Sequence, residues 1–275
     1  MKRERKAQRI FQRGSTTYFY SSMFFPRAVR DDVTKLYAFV RTADDFVDAT
    51  PQDAQGFAKF VTEYHSALAG KACANRIILD FLELSKRKKF NPRWADAFFS
   101  AMRADLTKKR YATLSQTERY MYGSAEVIGL YMAAILGLPR DAHSYAQSLG
   151  KAFQYVNFLR DVAEDEALGR TYIPIECLRK AGLKTLTKET ARANPKKFSD
   201  LVRAESKRYL AWQHEAEKGF HFIPWRYRVA ISTASDAYAW TARQIMTDPM
   251  VVWRRKVKPS KLRILWYGLK NMVSS

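Results

Sequence analysis

Residues 36 to 48 read LYAFVRTADDFVD, and this stretch indicates the fold class of the chain. Apolar residues recur in it at intervals of three and four, as at Leu36, Phe39 and Val40, which is the spacing of one face of an α-helix. The same spacing continues along much of the sequence, whereas alternating strand patterns and Asn-Gly or Asp-Gly hairpin turns are missing. We therefore predict an all-α protein.

Length and composition favour one globular domain over residues 1–275. The chain is 47% hydrophobic and 14% aromatic, which is enough to bury a sizeable core. Glycines and prolines divide it into segments of ordinary helix length, with no low-complexity linker and no internal repeat. The sequence predicts a single-domain bundle of antiparallel helices, with a basic N-terminal segment at about 1–13 and a basic amphipathic C-terminal segment at about 256–275.

Several kinds of site are poorly supported. The 2 cysteines lie far apart and the 4 histidines form no HExxH motif, so zinc and disulfide frameworks are not indicated and a reducing cytoplasm is the expected location. A di-iron carboxylate centre would require Glu-x-x-His pairs, which the chain lacks. The longest apolar run, at 127–138, is too short to span a bilayer, so we expect no membrane crossing.

The net charge of +21 favours an anionic partner, either a macromolecule or a lipid surface. No nucleic-acid reader motif is visible, so we expect no nucleic-acid partner. The C-terminal KPSKLRILWYGLKNMVSS mixes basic with large apolar residues, as suits the surface of an anionic membrane. A last core helix with a solvated basic face would show the same pattern. We keep both readings, and the first predicts peripheral membrane association.

An acidic face follows from the spacing in the opening stretch. Tyr37, Arg41, Asp44 and Asp48 are separated by four, three and four residues, so they share one side of a helix. The Cβ atoms of Asp44 and Asp48 should lie about 6 Å apart. A solvated acidic face with Arg41 as its ion-pair partner is the simplest interpretation of this motif taken alone.

A second acidic stretch, QYVNFLRDVAEDEALGRTYIP at 154–174, repeats the arrangement. Gln154, Asn157, Asp161 and Asp165 share one helical face, with large apolar residues between them. Buried carboxylates need partners, and magnesium takes oxygen ligands together with substrate phosphates. Two such faces turned towards each other would form a phosphate-binding metal site. Further diphosphate contacts would come from Arg41, Arg160, Arg170 and the hydroxyl-rich residues 14–22.

Three stretches together resemble the phytoene and squalene synthases, which are head-to-head prenyltransferases. These are GSTTYFYSSMFFP at 14–26, LYAFVRTADDFVD at 36–48 and residues 154–174. The resemblance extends from about residue 10 to about 260 and is strongest in the first 50 residues and at 117–174. It implies the all-helical isoprenoid synthase fold, with a central cavity capped by the two aspartate-rich motifs.

The resemblance also implies roles for individual residues. The residues implied as metal ligands, for Mg²⁺ or alternatively Mn²⁺, are Asp44, Asp48, Asn157, Asp161 and Asp165. The residues implied as catalytic are those four aspartates with Tyr37, Arg41, Arg160 and Tyr172. The residues implied as substrate-binding are Ser15, Thr17, Tyr18, Asp105, Tyr120, Gln154, Asn157, Arg254 and Arg255. Glu126 departs from the family pattern, because many relatives have a small residue there; it either alters the pocket or forms a salt bridge elsewhere.

The activity implied is the condensation of two geranylgeranyl diphosphates, through a cyclopropyl diphosphate intermediate, to phytoene with release of diphosphate. The alternative is a squalene or dehydrosqualene synthase that uses two farnesyl diphosphates, with NADPH required only for squalene. A non-catalytic homologue that binds prenyl lipids is a more remote alternative. The expected partners are prenyl diphosphates, an anionic membrane surface and downstream carotenoid or triterpenoid enzymes.

Overall fold

The computed structural model describes residues 2–274, and the side chains of residues 6–273. The first half of this range forms eight α-helices: α1 (Lys2–Gly14), α2 (Thr16–Ser22), α3 (Arg27–Asp48), α4 (Ala54–Leu68), α5 (Arg76–Lys88), α6 (Pro92–Thr107), α7 (Leu114–Met121) and α8 (Val127–Leu136). The second half forms seven: α9 (His143–Arg160), α10 (Val162–Ala167), α11 (Ile175–Lys180), α12 (Lys188–Ala193), α13 (Pro195–Glu217), α14 (Trp225–Thr247) and α15 (Lys261–Ser274).

The connections are short. A π-helical segment, Tyr122–Glu126, joins α7 to α8, and 3₁₀ turns occur at Arg140–Ala142, Lys218–Phe222 and Pro249–Trp253. Within residues 2–274 there is no β-strand, and only an isolated bridge pairs Arg110 with Thr171. The prediction of an all-α single-domain bundle is confirmed. The predicted basic N-terminal segment falls on α1, but the side chains of residues 1–5 lie outside the described part of the chain, as do those of 274 and 275.

Local sequence explains where many helices begin and end. The side chains of Ser15, Asp53 and Asn91 each accept a hydrogen bond from a backbone N–H in the first turn of the following helix. Helix α8 ends at Gly137, whose φ of 69° is the left-handed conformation that glycine adopts without strain. The glycine and proline breaks of the sequence are therefore true boundaries of the bundle.

Helix α9 lies at the centre of the fold. It packs against α8, α13 and α14, and its apolar side is fully covered, as shown by Tyr155, Val156 and Leu159. Helix α3 adds a second core region, where the rings of Phe39 and Phe81 stack 3.7 Å apart. Both regions belong to one contiguous core cluster, so the polar ends of α3 and α9 are held by rigid, well-packed helices.

Small residues bring α8 and α9 unusually close together. A Cβ at Gly129 would lie 2.0 Å from the carbonyl oxygen of Ala146, and one at Gly150 would lie 2.4 Å from that of Ala125. These contacts pair the beginning of α8 with the middle of α9, so the two helices run antiparallel. No helix in the described range has both the length and the apolarity needed to span a membrane.

Candidate active site

Two adjoining cavities lie between α2, α3, α9 and α14. The first, which we call the polar chamber, has a volume of about 240 Å³ and is lined by residues of these helices, of α6 and α7, and of the segments after α10 and before α15. The second, the apolar cavity, has a volume of about 300 Å³. Seven residues line both: Tyr18, Tyr37, Arg41, Asp44, Tyr120, Gln154 and Asn157. The polar chamber is therefore the mouth of a hydrophobic cavity.

The first aspartate motif lies on the polar side of the C-terminal half of α3. Arg41 donates from Nη1 to Asp44 Oδ2 at 2.8 Å and its Nη2 lies 2.7 Å from Asp45 Oδ1. Asp48 accepts a hydrogen bond of 2.8 Å from Nη1 of Arg170, which comes from the loop after α10. Burial, followed by the nearby charge of Asp48, raises the pKa of Asp44 above its usual range.

The second aspartate motif lies where α9 passes into α10. The two helices are distinct, and Asp161 lies at their junction instead of inside one continuous helix as the sequence spacing predicts. Arg160 Nε donates to Asp161 Oδ1 at 2.8 Å, and Lys256 Nζ lies 3.0 Å from the same oxygen. Burial acts to raise the pKa of Asp161, but the hydrogen bond and the charge of Arg160 outweigh it, so this pKa is lowered.

Asp165 differs from the other three motif aspartates. Asp44, Asp48 and Asp161 each form an ion pair, whereas none joins Asp165 to any described side chain. Burial raises the pKa of Asp165 well above its usual range, and the nearby charge of Asp161 raises it further. Among the four motif aspartates, Asp165 is therefore the carboxyl group without an ion pair to a described side chain, although the charge of Arg170 acts on it.

A third acidic group faces the same chamber from α6. Asp105 is buried and accepts hydrogen bonds of 2.7 Å from the hydroxyls of Tyr120 and Tyr172. Burial raises its pKa to about 6. The ring of Tyr172 stacks on the ring of Phe158 with their centroids 4.4 Å apart. This stacking fixes the position of the Tyr172 hydroxyl, which donates its hydrogen bond to Asp105.

Two buried polar atoms of residues that line the chamber have no protein partner, Arg170 Nε and Asn157 Oδ1. Asn157 Oδ1 is buried and accepts no hydrogen bond from the protein. Among the described side chains, no three His, Cys, Asp or Glu residues converge in a way that could hold a metal ion by themselves. Magnesium sites often use one or two carboxylates and complete their coordination with water and substrate phosphates. The donors available here, carboxylates and an amide oxygen, are of the hard oxygen type that magnesium prefers.

The apolar cavity follows α9 away from the chamber. Its α9 lining extends from Asn157 back to Tyr145, a distance of about 18 Å at the helical rise per residue. Opposite it, α8 contributes Gly129, Ala133 and Leu136, whereas Ala134 is outside the lining. Because α8 and α9 are antiparallel, Ala133 lies towards the deep end. Small side chains there leave room for a long apolar ligand.

The structure brings together fifteen of the seventeen residues for which the resemblance implied a role. These line the chamber, the cavity or both: Ser15, Thr17, Tyr18, Tyr37, Arg41, Asp44, Asp48, Asp105, Tyr120, Gln154, Asn157, Arg160, Asp161, Asp165 and Tyr172. Arg254 and Arg255 line neither cavity, and Arg254 instead forms an ion pair with Asp248.

Sequence reasoning missed two residues of the chamber, Lys258 and Tyr238. Lys258 belongs to the same basic segment as Arg254 and Arg255. The composition of this segment indicates a site for anions, but the segment has no helical periodicity that would show which of its side chains points into the chamber. Tyr238 lies in the middle of α14 and no sequence signal distinguishes it. Glu126 does not line either cavity; Gln147 Nε2 lies 3.5 Å from its carboxylate, and Lys151 lies nearby.

Comparison with known proteins identifies the family. Residues 11–263 match the squalene/phytoene synthase family. The chain is 30% identical to the 15-cis-phytoene synthase of Enterobacter agglomerans over 95% of this chain and 93% of that protein. It is 29% identical to the presqualene diphosphate synthase of Zymomonas mobilis subsp. mobilis, with 95% and 90% covered. A crystal structure of a dehydrosqualene synthase in complex with a ligand superposes with a TM-score of 0.88 at 22% identity, with 99% and 96% covered. The chain therefore belongs to the squalene/phytoene synthase family of prenyltransferases.

Proposed function

We propose that this prenyltransferase condenses two geranylgeranyl diphosphates head to head, through a cyclopropyl diphosphate intermediate, to phytoene with release of diphosphate. The observation that carries the proposal is the direct opening of the polar chamber, with both aspartate pairs, into the long apolar cavity. Such a site suits a substrate with an anionic head and a hydrocarbon tail. The phytoene synthases among its relatives support this choice of substrate.

The residues present fit a magnesium-bridged diphosphate. Asn157 Oδ1 is buried without a protein partner and Asp165 forms no ion pair with a described side chain, so both groups are available to a ligand. We assign Asp44, Asp48, Asn157, Asp161 and Asp165 as the groups that would hold Mg²⁺, or Mn²⁺ in its place. When bound, the metal neutralises the diphosphate and so makes it a better leaving group.

Basic side chains of the chamber would bind the remaining diphosphate oxygens. Arg160, Arg170 and Lys258 all line it, and arginine is suited to phosphate because its planar donors match two oxygens at once. Burial lowers the pKa of Lys258, and the neighbouring positive charges of Arg160 and Lys256 lower it further. An anionic diphosphate would relieve that repulsion, so Lys258 favours the loaded site over the empty one.

The apolar cavity would protect and guide the carbocation. Loss of the first diphosphate, with the electron pair of its C–O bond, leaves an allylic cation that the double bond of the second substrate attacks, and a proton is lost as the cyclopropane closes. Loss of the second diphosphate allows rearrangement, and a second proton leaves to give phytoene. The rings of Tyr18, Phe153 and Tyr238 lie near the mouth, where aromatic faces stabilise positive charge. The apolar walls keep water from the cations.

The product profile tests this proposal. Purified protein incubated with Mg²⁺ and geranylgeranyl diphosphate should yield phytoene without NADPH, as measured by extraction and mass spectrometry. Squalene or dehydrosqualene from farnesyl diphosphate, with no product from the longer substrate, would instead support the alternative that uses farnesyl diphosphate. The absence of product from both substrates would contradict prenyl transfer altogether.

Filling the deep end of the cavity should select against the longer substrate. Ala133→Leu adds bulk at a lining position of α8, so we expect kcat/KM for geranylgeranyl diphosphate to fall at least about 10-fold, a typical effect of pocket shape, with little change for farnesyl diphosphate. Ala134→Leu is the matched control, because the neighbouring residue lies outside the lining. Equal effects on both substrates would show that Ala133 does not limit chain length.

A further inference from the structure

Helix α15 packs on α14 and α2 with one of its sides. It buries Ile264 and Tyr267 against Ala237 in a small cluster that is separate from the main core. Tyr20 and Trp240 pack on the edge of this cluster. Asn271 also donates a hydrogen bond of 3.0 Å to Asp236 of α14. Only one side of the helix is therefore used for packing. The amphipathic segment expected from the sequence forms a helix on the surface of the protein.

The opposite side of α15 is apolar and exposed. Leu262, Trp266 and Leu269 are 79%, 58% and 60% exposed. Their spacing of four and three residues continues to Val273, so they form one continuous line along the helix, and Met272 borders it. We call these five residues the apolar stripe. A contiguous line of large exposed apolar side chains marks an interaction surface, whereas single exposed residues are ordinary.

The packed side of α15 is connected to the apolar cavity through the turn after α2. A Cβ at Gly268 of α15 would lie 1.8 Å from the ring of Phe24, so the helix rests directly on this turn. Met23, which precedes Phe24, is exposed. Phe25, which follows Phe24, lines the apolar cavity, and the centroid of its ring lies 6.4 Å from that of Tyr227. Helix α15, which carries the stripe on its outer side, therefore adjoins one wall of the cavity through this turn.

The charged side chains of the segment that carries the stripe are all positive. Residues 256–273 contain no aspartate or glutamate. Lys261, Arg263 and Lys270 are exposed on α15 and flank the stripe. An apolar face bordered by basic side chains, with a tryptophan among the apolar residues, is the pattern of a helix that lies in the surface of an anionic bilayer. A two-fold dimer through the same face would bring these like charges together, which disfavours self-association.

We infer that the apolar stripe of α15, with its flanking basic residues, docks the enzyme on an anionic lipid bilayer. Trp266 and the leucines enter the interface, while Lys261, Arg263 and Lys270 meet the lipid phosphates. The surface stands on its own geometry and charge, but its use rests on the proposed function: a hydrocarbon product needs an apolar phase to receive it. Docking in this orientation brings the Phe25 wall of the cavity towards the bilayer.

Vesicle binding without substrate tests the docking surface apart from the reaction. The full chain should co-sediment with vesicles of phosphatidylcholine and phosphatidylglycerol and much less with phosphatidylcholine alone. Trp266→Ser combined with Leu269→Ser should weaken binding at least about 10-fold, since two large side chains no longer enter the lipid. Leu68→Ser is the matched control: Leu68 is 48% exposed on α4, away from α15, and its loss should leave binding unchanged.

Charge reversal provides a second, independent test. Lys261→Glu with Lys270→Glu should reduce binding to the anionic vesicles at least about 10-fold, whereas Lys196→Glu with Lys207→Glu, two exposed lysines of α13, should change it little. Trp266→Phe should retain binding but lose part of the fluorescence quenching by brominated lipid. Circular dichroism checks that each variant is folded.

Three results would overturn the inference. One is failure of the unmodified chain to bind either vesicle. Another is vesicle binding that the α15 variants leave unchanged, which would place the membrane contact elsewhere. The third is a dimer in sedimentation velocity that the stripe variants dissociate, with no vesicle binding. None of these results depends on the product, so phytoene formation by a protein that does not bind vesicles would contradict the docking surface and leave the proposed function intact.

Discussion

Replacing Asp165 with asparagine should reduce turnover by at least about 10²-fold while making the metal-free protein more stable. The activity should fall because the substrate diphosphate loses one of the carboxylates assigned to its magnesium ions. The stability should rise because this carboxyl is buried, lies near Asp161 and forms no ion pair with a described side chain. Burial and the charge of Asp161 outweigh the opposing charge of Arg170, so ionising the carboxyl in the folded state is unfavourable. At pH 8 we expect a gain of about 1 kcal/mol in the free energy of unfolding, an ordinary magnitude for relief of an unfavourable site.

The opposite signs distinguish a functional residue from a folding defect. Steady-state kinetics with Mg²⁺ and geranylgeranyl diphosphate measure the first effect, and thermal unfolding at pH 8 without metal measures the second. Glu166→Gln is the control, since this neighbour in α10 is outside both cavities and should change neither quantity appreciably. Near-normal turnover of Asp165→Asn would remove the residue from the diphosphate site, and a lower melting temperature would refute the electrostatic argument.

The pH dependence of stability follows from the two buried carboxyl groups of the chamber whose pKa values are raised, Asp105 and Asp165. A carboxyl whose pKa is raised in the folded state holds a proton there after the unfolded chain has lost it, so rising pH destabilises the fold across that interval. For Asp105, whose ordinary pKa of 3.8 is raised to about 6, the loss between about pH 4 and 6 amounts to about 3 kcal/mol. The metal-free enzyme should therefore unfold more readily at pH 7 than at pH 5, and Asp165→Asn should reduce the difference.

The sequence predicts what lies along a single helix. Tyr37, Arg41, Asp44 and Asp48 belong to α3, so the helical repeat alone places them on one face, and the structure brings all four to one chamber. The same argument is less accurate at Asp161, because α9 ends there and α10 begins. Helix boundaries depend on local backbone geometry that periodicity does not describe.

Contacts between distant segments could not be derived in this way. Arg170 pairs with Asp48 across 122 residues, and no local pattern links the two. The close approach of α8 and α9 depends on Gly129 and Gly150, yet a glycine in an apolar helix does not indicate which neighbour it meets. Lys258 enters the chamber from a segment without regular structure, where a side chain's direction depends on tertiary packing. The resemblance to a family supplied the site as a whole, and the structure supplied these connections.

Replacing Arg170 with methionine should also reduce turnover by at least about 10²-fold, but with the opposite effect on stability. Arg170 is buried, and its guanidinium donates to the Asp48 carboxylate at 2.8 Å and to the backbone carbonyl of Val47 at the end of α3. It is therefore the cation that joins the loop after the second aspartate motif to the first. Methionine has a similar shape but no charge, so Asp48 is left facing the other carboxylates of the chamber without its partner.

We expect Arg170→Met to lower the free energy of unfolding at pH 8 by about 2 kcal/mol, which is less than for a fully buried pair because Asp48 is partly exposed. We expect its kcat/KM to fall at least about 10²-fold. Arg179→Met, an exposed arginine of α11, is the matched control and should change neither. Adding Asp48→Asn to Arg170→Met should recover part of the stability, because the unpaired charge is then removed, but no turnover. If the double variant is no more stable than Arg170→Met alone, the ion pair between Arg170 and Asp48 does not hold the two motifs together.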